Sequence, residues 1–428
     1  MKRTLSLLLT LVMLLSLSAS ALAGETVEIR AAWWGDTKRF ELYNSIVAEF
    51  MKANPDIKVV SEPVSWNDYW DKLSVQVAGG NAPDFIGMHP QYASDYIGRG
   101  MVEPLDQYIA DGVISTDGWV QGTINTGVID GVNYMMPMGV TFTSVFANDG
   151  LFAELGVEKP AFDWTYDDMK ATGLLVRAAL DAAGKTETWL MNDMSTNINS
   201  FRYFVRQNGR ELYDVQGNIN FTAEDAGKWF TMWKEFRDLG IIPDAATATE
   251  YFSATLEDST FSRDKVLLTQ VPINQLKLYR TTFPDKTVSP IRIPSLAGAA
   301  VGEFPEGAHF AIYAKSSPEK KLAAAKLINF WLNTEAALGI FGLDQGVPGN
   351  LGLSDAYLPK LDANQLDILA FVNTLSKIGT PTIFPPAGAS EIDLLFRSIG
   401  EAVQFDAKTP ADAAKEVYEA AVAIRSNK

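Results

Sequence analysis

Trp33 and Trp34 stand side by side before Gly35, Trp66 and Tyr69 come later, and His89, Gln91 and Tyr92 cluster just after Met88. A second polar group, Asn192-Asp193-Met194-Ser195-Thr196-Asn197, is followed closely by Arg202. Aromatic rings stack on the apolar C–H faces of sugars, while amides, carboxylates and guanidinium groups hydrogen-bond their hydroxyls. A carbohydrate site needs both kinds of side chain, and this chain holds both. The stretch from Asn192 is too polar for a core and too long for a tight turn, so it reads as a loop facing a ligand. Tyr134 adds a hydroxyl that can reach the same place, whereas Met135, Met136 and Met138 beside it read better as core filling. Neither a cofactor nor a metal is expected. Asp214 to Glu224 has the look of a calcium loop, but the required central glycine is Ile219, and a Gly217-Asn218 turn leading into a Thr222 helix cap explains the segment more simply.

The elements that must position these residues alternate in type. Thr26 to Trp34 reads as a strand closed by Gly35. Phe40, Tyr43, Ile46, Val47, Phe50 and Met51 recur at helical spacing before Asn54-Pro55. Ile57 to Val64 is a second strand, Trp66 to Val77 a second helix, and Asp84 to Met88 a third strand. Strands alternating with helices predict an α/β sheet with its ligand-facing loops at the carboxyl ends of the strands. Those loops carry Trp33-Trp34, Trp66 and His89-Gln91-Tyr92. Alternation along a strand sends one of Trp33 and Trp34 into the core and the other toward the cleft, and burial of both stays open. Trp66 and Tyr69 begin a helix, where ordinary amphipathic packing competes with ligand contact. Beyond Asp149 the texture is more helical, with helices expected over 167–183, 200–208, 223–239, 318–338, 364–377, 390–404 and 410–426.

At 428 residues, 47% apolar and 11% aromatic, the chain is long enough for two large cores and too apolar to be disordered. Its net charge of −16 makes nucleic acid and anionic membranes poor partners. Lys2 and Arg3, an apolar run from Leu5 to Leu17, and Ser18-Ala19-Ser20-Ala21-Leu22-Ala23 form a signal peptide over 1–23, with the mature start at Gly24. The run is too short for a stable membrane span. With no cysteine anywhere, neither disulfides nor a lipid-bearing Cys at the mature start is available, and a freely diffusing monomer in the periplasm is expected.

Several segments then match a known pattern together. They are Trp33-Trp34-Gly35 after the first strand, Phe50-Met51-Lys52-Ala53-Asn54-Pro55-Asp56-Ile57, and Gly79-Gly80-Asn81-Ala82-Pro83-Asp84-Phe85. Further on come Trp164-Thr165-Tyr166-Asp167-Asp168-Met169, Asn208-Gly209-Arg210-Glu211-Leu212-Tyr213-Asp214, Gly307-Ala308-His309-Phe310-Ala311-Ile312, and Gln345-Gly346-Val347-Pro348. In this order the chain resembles the extracellular solute-binding family that includes maltose-binding and oligogalacturonide-binding proteins of sugar importers. The resemblance implies a periplasmic-binding-protein fold, two α/β lobes around a ligand cleft joined by crossing hinge segments, and an ABC permease as partner. It also implies a ligand-binding role for an acid at Asp84 and a glycine-rich approach to the cleft at Glu306-Gly307-Ala308-His309. The lobes expected are 24–140 plus 300–342 and 141–299 plus 343–428, with crossings near 139–145, 294–302 and 340–350.

A non-sugar solute is one rival to a neutral oligosaccharide, and two more follow from the same residues. An acidic sugar would want cations, for which Arg202, Arg206 and Lys38 are the candidates. A glycoside hydrolase would need Asp84 and Glu306 as a carboxylate pair at catalytic distance. An enzyme is not the expectation, because paired acids also bind hydroxyls without chemistry.

Overall fold

The computed structural model describes residues 26–252, 254–380 and 383–427. The signal peptide expected at 1–23 lies outside them. Strand β1 (Val27–Trp34) leads to helix α1 (Thr37–Ala53), whose first turn is capped by Asp36 accepting from Arg39 N at 3.0 Å. Tyr43, Ile46, Val47 and Phe50 form the buried stripe of α1. Pro55 cannot continue a helix, and the chain turns into β2 (Ile57–Val64), parallel to β1 from Val27↔Ile57 to Trp34↔Val64. Helix α2 (Trp66–Ala78), capped by Ser65, returns the chain to β3 (Phe85–Met88), and His89 caps α3 (Pro90–Gly98). Because β3 is also parallel to β1, Trp34, Val64 and Met88 end on one edge of the sheet.

A small hairpin, β4 (Val128–Ile129) and β5 (Val132–Asn133), precedes β6 (Met136–Pro137). The chain then enters a second sheet at β7 (Thr143–Asn148), continues through α4 (Tyr166–Ala182), β8 (Trp189–Met191), α5 (Ile198–Gln207) and α6 (Ala223–Asp238), and completes the sheet with β9 (Val266–Pro272) and β10 (Val288–Ile291). It returns to the first sheet as β11 (His309–Ile312), followed by α7 (Pro318–Asn333) and α8 (Glu335–Phe341). Helices α9 (Ala363–Ser376), α10 (Ala389–Gln404) and α11 (Pro410–Ser426) finish the chain. The strand orders are β2-β1-β3-β11-β6 and β10-β7-β9-β8, each sheet mixing parallel and antiparallel pairs. This is the two-lobed α/β fold expected.

Each lobe has its own core. Trp33, Phe85, Phe310 and Trp331 fill the first, while Phe201, Trp229, Phe230 and Phe396 fill the second. The β10-β7-β9 side of the second lobe adds a further cluster around Phe142, Phe146, Tyr279 and Phe371. Met135, Met136 and Met138 belong to the first core, so the packing reading holds for them. Thr222 and Asp225 form a capping box, and Asp214 accepts from Gln216 N and Asn218 N, as expected of a turn and cap rather than a calcium loop.

Between the lobes the backbone crosses in close-packed segments bridged at Val140↔Val347 and Thr141↔Glu306. Glycines permit the approach: a Cβ on Gly307 would lie 2.3 Å from the Gly139 carbonyl oxygen, and Gly346 has φ +100°. The expected crossing at 294–302 leads into the bridged residue Glu306. That earlier stretch is tied to α5, with Gln207 donating to Pro294 O and Arg206 to Gly302 O.

Candidate functional site

The shared edge formed by the ends of β1 and β3 carries a continuous aromatic wall. Alternation along β1 puts Trp33 and Trp34 on opposite faces. Trp33 is 1% exposed, with Tyr43 at 5.5 Å and Trp331 at 5.9 Å between ring centroids, so it is a core residue and not a cleft residue. Trp34 meets Trp66 at 5.0 Å, Tyr69 at 5.3 Å and Trp70 at 5.5 Å, in room that Gly87 leaves for it. Trp66, at the first turn of α2, stays partly exposed and packs edge-on against Trp34, Trp70 and, at 5.3 Å, His89. Tyr92 stacks on Trp70 at 3.9 Å. The wall is thus layered, with Trp34 and Trp70 as its backing and Trp66, His89 and Tyr92 as its outer surface.

The opposing wall comes from α5, α10 and the segment leading into α10. Gln91 accepts from Asn199 Nδ2 at 3.2 Å and donates to the Asp393 carboxylate. One turn along α3, Asp95 accepts from Gly388 N at 2.7 Å and from the Ser390 hydroxyl, while Ser94 donates to Pro385 O. Gly388, at the start of α10, has no side chain with which to cap it, and Asp95 of the first lobe accepts from its N–H. The lobes are therefore closed on one another.

Deeper toward the hinge, Glu306 accepts from Tyr203 OH at 2.6 Å and Thr143 Oγ1 at 2.9 Å. Arg202 donates to Ile383 O at 2.6 Å, lies 3.5 Å from Glu211, and rests on the Phe304 ring at 4.7 Å. His309 is buried, its Nε2 2.8 Å from Thr126 Oγ1, and pairs with Met88 across the sheet, which sets it near His89.

Burial dominates the electrostatics here. It holds His89 down at about 4, helped by the Arg202 charge, and His309 at about 3, helped by His89. Both imidazoles are neutral at pH 7. Burial pushes Asp393 up to about 6, against the pull of Arg397 and the Gln91 hydrogen bond, and raises Glu306 despite its two donors and Arg202. Arg202 is brought down to about 10 by burial and remains charged.

Not every expected residue belongs to this assembly. Asp84 lies at the other end of β3 from His89, accepting from Arg30 N at 2.9 Å and Ser316 Oγ at 2.6 Å. Glu306 is beyond the opposite end of β11, and the four residues of β11 alone span about 13 Å, more than either hydrolase geometry allows. The carboxylate pair considered for hydrolysis is not formed. Asn192 is tied within the second lobe, accepting from Thr260 Oγ1 at 2.6 Å, and Asn197 caps α5. Tyr134 packs on the first core and is partly exposed. Among the described residues there is no cluster of His, Cys, Asp or Glu suited to a metal, and no helix long and apolar enough to cross a membrane.

Asn199 and Asp393 went unread. Asn199 falls just past the polar stretch that drew attention, inside a helix. Asp393 lies between Ile392 and Leu394 in an ordinary amphipathic helix, where one acid carries no signal of its own.

Comparison with known proteins agrees with this architecture. The chain is 23% identical over 236 residues to putative binding proteins of Brucella abortus and Brucella suis, and it spans 55% of the length of those relatives. A periplasmic oligogalacturonide-binding protein of Yersinia enterocolitica, solved with saturated digalacturonic acid, superposes with a TM-score of 0.82 at 20% identity, over 94% of this chain and 99% of that one. An ABC substrate-binding protein of Listeria monocytogenes, solved with cycloalternan, superposes with a TM-score of 0.79 at 22% identity over the same shares. The family model described as bacterial extracellular solute-binding protein matches residues 45–365, three-quarters of the chain. With two mixed sheets in separate lobes and that match across most of its length, the chain belongs to the bacterial extracellular solute-binding protein family.

Proposed function

We propose that this protein captures a carbohydrate, most naturally an oligosaccharide, between its lobes and delivers it to the transmembrane subunits of an ABC importer. The observation that carries this reading is the partly exposed Trp66, backed by Trp34 and Trp70, on the same lobe as Gln91, which bonds the amide of Asn199 and the carboxylate of Asp393 from the other lobe. An aromatic face opposed by hydrogen-bonding groups suits a ring with an apolar face and a hydroxyl rim. Trp66, His89, Gln91 and Tyr92 from the first lobe, with Asn199, Arg202, Glu306 and Asp393 from the second lobe and hinge, are the proposed ligand shell. Trp34 and His309 support it from behind. The fold-level neighbours support the ligand class, since one holds an acidic disaccharide and another cycloalternan.

The rest of the reading follows from sequence. The lobes divide as 24–140 plus 300–342 and 141–299 plus 343–428, the hinge runs through the glycines at 139, 307 and 346, and the protein works as a monomer in the periplasm after loss of residues 1–23. A thermal-shift screen of the mature chain tests the function, because a ligand bound only by the folded state raises the melting temperature. Neutral oligosaccharides, oligouronides, amino acids, polyamines and glycerophosphodiesters form the panel. A shift confined to a sugar class is expected, and a shift confined to a non-sugar class contradicts the proposal.

A further inference from the structure

Resting on the carbohydrate reading, we propose that this cleft selects uncharged sugars over acidic ones, and that Asp393, set against Gln91, is the residue that enforces the choice. The argument begins with the cations an acidic sugar would need. Lys38 sits on the exposed face of α1, 3.1 Å from Glu41. Arg206 donates through Nε to Gly302 O at 2.7 Å, through Nη2 to Thr380 Oγ1 at 2.6 Å, and its Nη1 pairs with Glu211. Arg202 donates to Ile383 O, stands beside Glu211, and lies flat on Phe304. A ligand carboxylate would have to compete with these protein acceptors for either arginine, and displacing one would leave that acceptor without its donor. Arg397, one turn beyond Asp393, lies over the Phe252 ring at 5.0 Å.

What faces Gln91 across the cleft is instead a carboxylate. Gln91 donates to Asp393 and accepts from Asn199, so the lobes meet directly through an acceptor on one side and an amide with both capacities on the other. A sugar hydroxyl both donates and accepts, so on entering it can take over the place of the Gln91 amide opposite Asp393 and the place of Asp393 opposite Gln91. A carboxylate only accepts, so it can do nothing for Asp393 except repel it. Glu306, deeper in the cleft and already holding two donors, adds a second group that a ligand anion would meet.

Isothermal titration of the mature chain at pH 7.5 with neutral di- and trisaccharides and with digalacturonate tests this. At least one neutral sugar should bind about 100-fold more tightly than digalacturonate, the ratio expected of a like-charge juxtaposition. In Asp393→Asn the ratio should narrow about tenfold, through tighter digalacturonate and weaker neutral sugar. A second arm uses the unaltered protein at pH 5. There Asp393, pushed up to about 6, takes a proton, while His89 and His309, held at about 4 and 3, stay neutral and Arg202 stays charged. Glu306, also raised by burial, moves in the same direction as Asp393. The ratio should narrow in this arm too. Digalacturonate binding as tightly as any neutral sugar at pH 7.5 overturns the inference and leaves the carbohydrate reading standing. Binding of no sugar of either kind removes both. A ratio unmoved in a folded Asp393→Asn and unmoved at pH 5 overturns the role given to Asp393.

Discussion

Trp66 and Trp34 are neighbours 5.0 Å apart that do different jobs, and substitution should separate them. Trp66 presents surface to the cleft, so Trp66→Ala should weaken sugar binding about tenfold or more while leaving the melting temperature nearly unchanged, as read by titration and a thermal melt of the same sample. Trp34 is enclosed by Trp66, Tyr69 and Trp70. Trp34→Ala should cost about 3–5 kcal/mol of stability in a urea melt, with binding lost only as a consequence. At this scale the sequence was partly legible. Strand alternation said that one of Trp33 and Trp34 is core, but which face is which depends on where α1 and α7 pack, and that is a tertiary fact. Asp84 shows the reach of local reading: its place at the start of β3 was visible, but its bonds to Arg30 and Ser316 come from segments distant in sequence.

At the scale of elements, the contact of α3 with the start of α10 joins the two lobes without any ligand. Asp95 supplies an N-cap to a helix of the other lobe, and a cap is worth about 1 kcal/mol. Asp95→Ala removes that stabilisation from the closed form alone. Sugar affinity should fall about fivefold and small-angle scattering of the sugar-free protein should show a larger radius of gyration, with each lobe's own stability unchanged. An unchanged radius and affinity would deny the contact any part in closure. The helices were the most legible part of the chain, because apolar periodicity and capping residues act locally. The helix expected over 318–338 breaks at Thr334, whose hydroxyl accepts from Ala337 N at 3.2 Å and starts a new helix.

The whole molecule carries a pH signature set by the buried groups between its lobes. His89 and His309 have folded-state values of about 4 and 3, below the ordinary value of 6.5, so the unfolded chain binds protons that the folded chain refuses. Their contribution is present above pH 6.5 and is lost as pH falls toward 4. Asp393 acts in the opposite sense: its folded value of about 6 exceeds the ordinary 3.8, so it destabilises the fold at neutral pH and ceases to do so as pH falls below that window. The two histidines shift further and in concert, so the melting temperature should decline from pH 6.5 to 4. His89→Gln should flatten that decline. A slope unchanged in the variant would place the histidine outside a buried setting.

The central claim is that a sugar sits between the aromatic wall and the α5–α10 wall. Hydrogen exchange of the mature chain, with and without the sugar found by the thermal screen, tests it most directly. Added protection should fall on residues 65–92 and, together with it, on 198–207 and 389–404. Protection confined to one lobe, or to the surface groove between α6 and α11 lined by Gly227, Met232 and Ala414, would contradict the account.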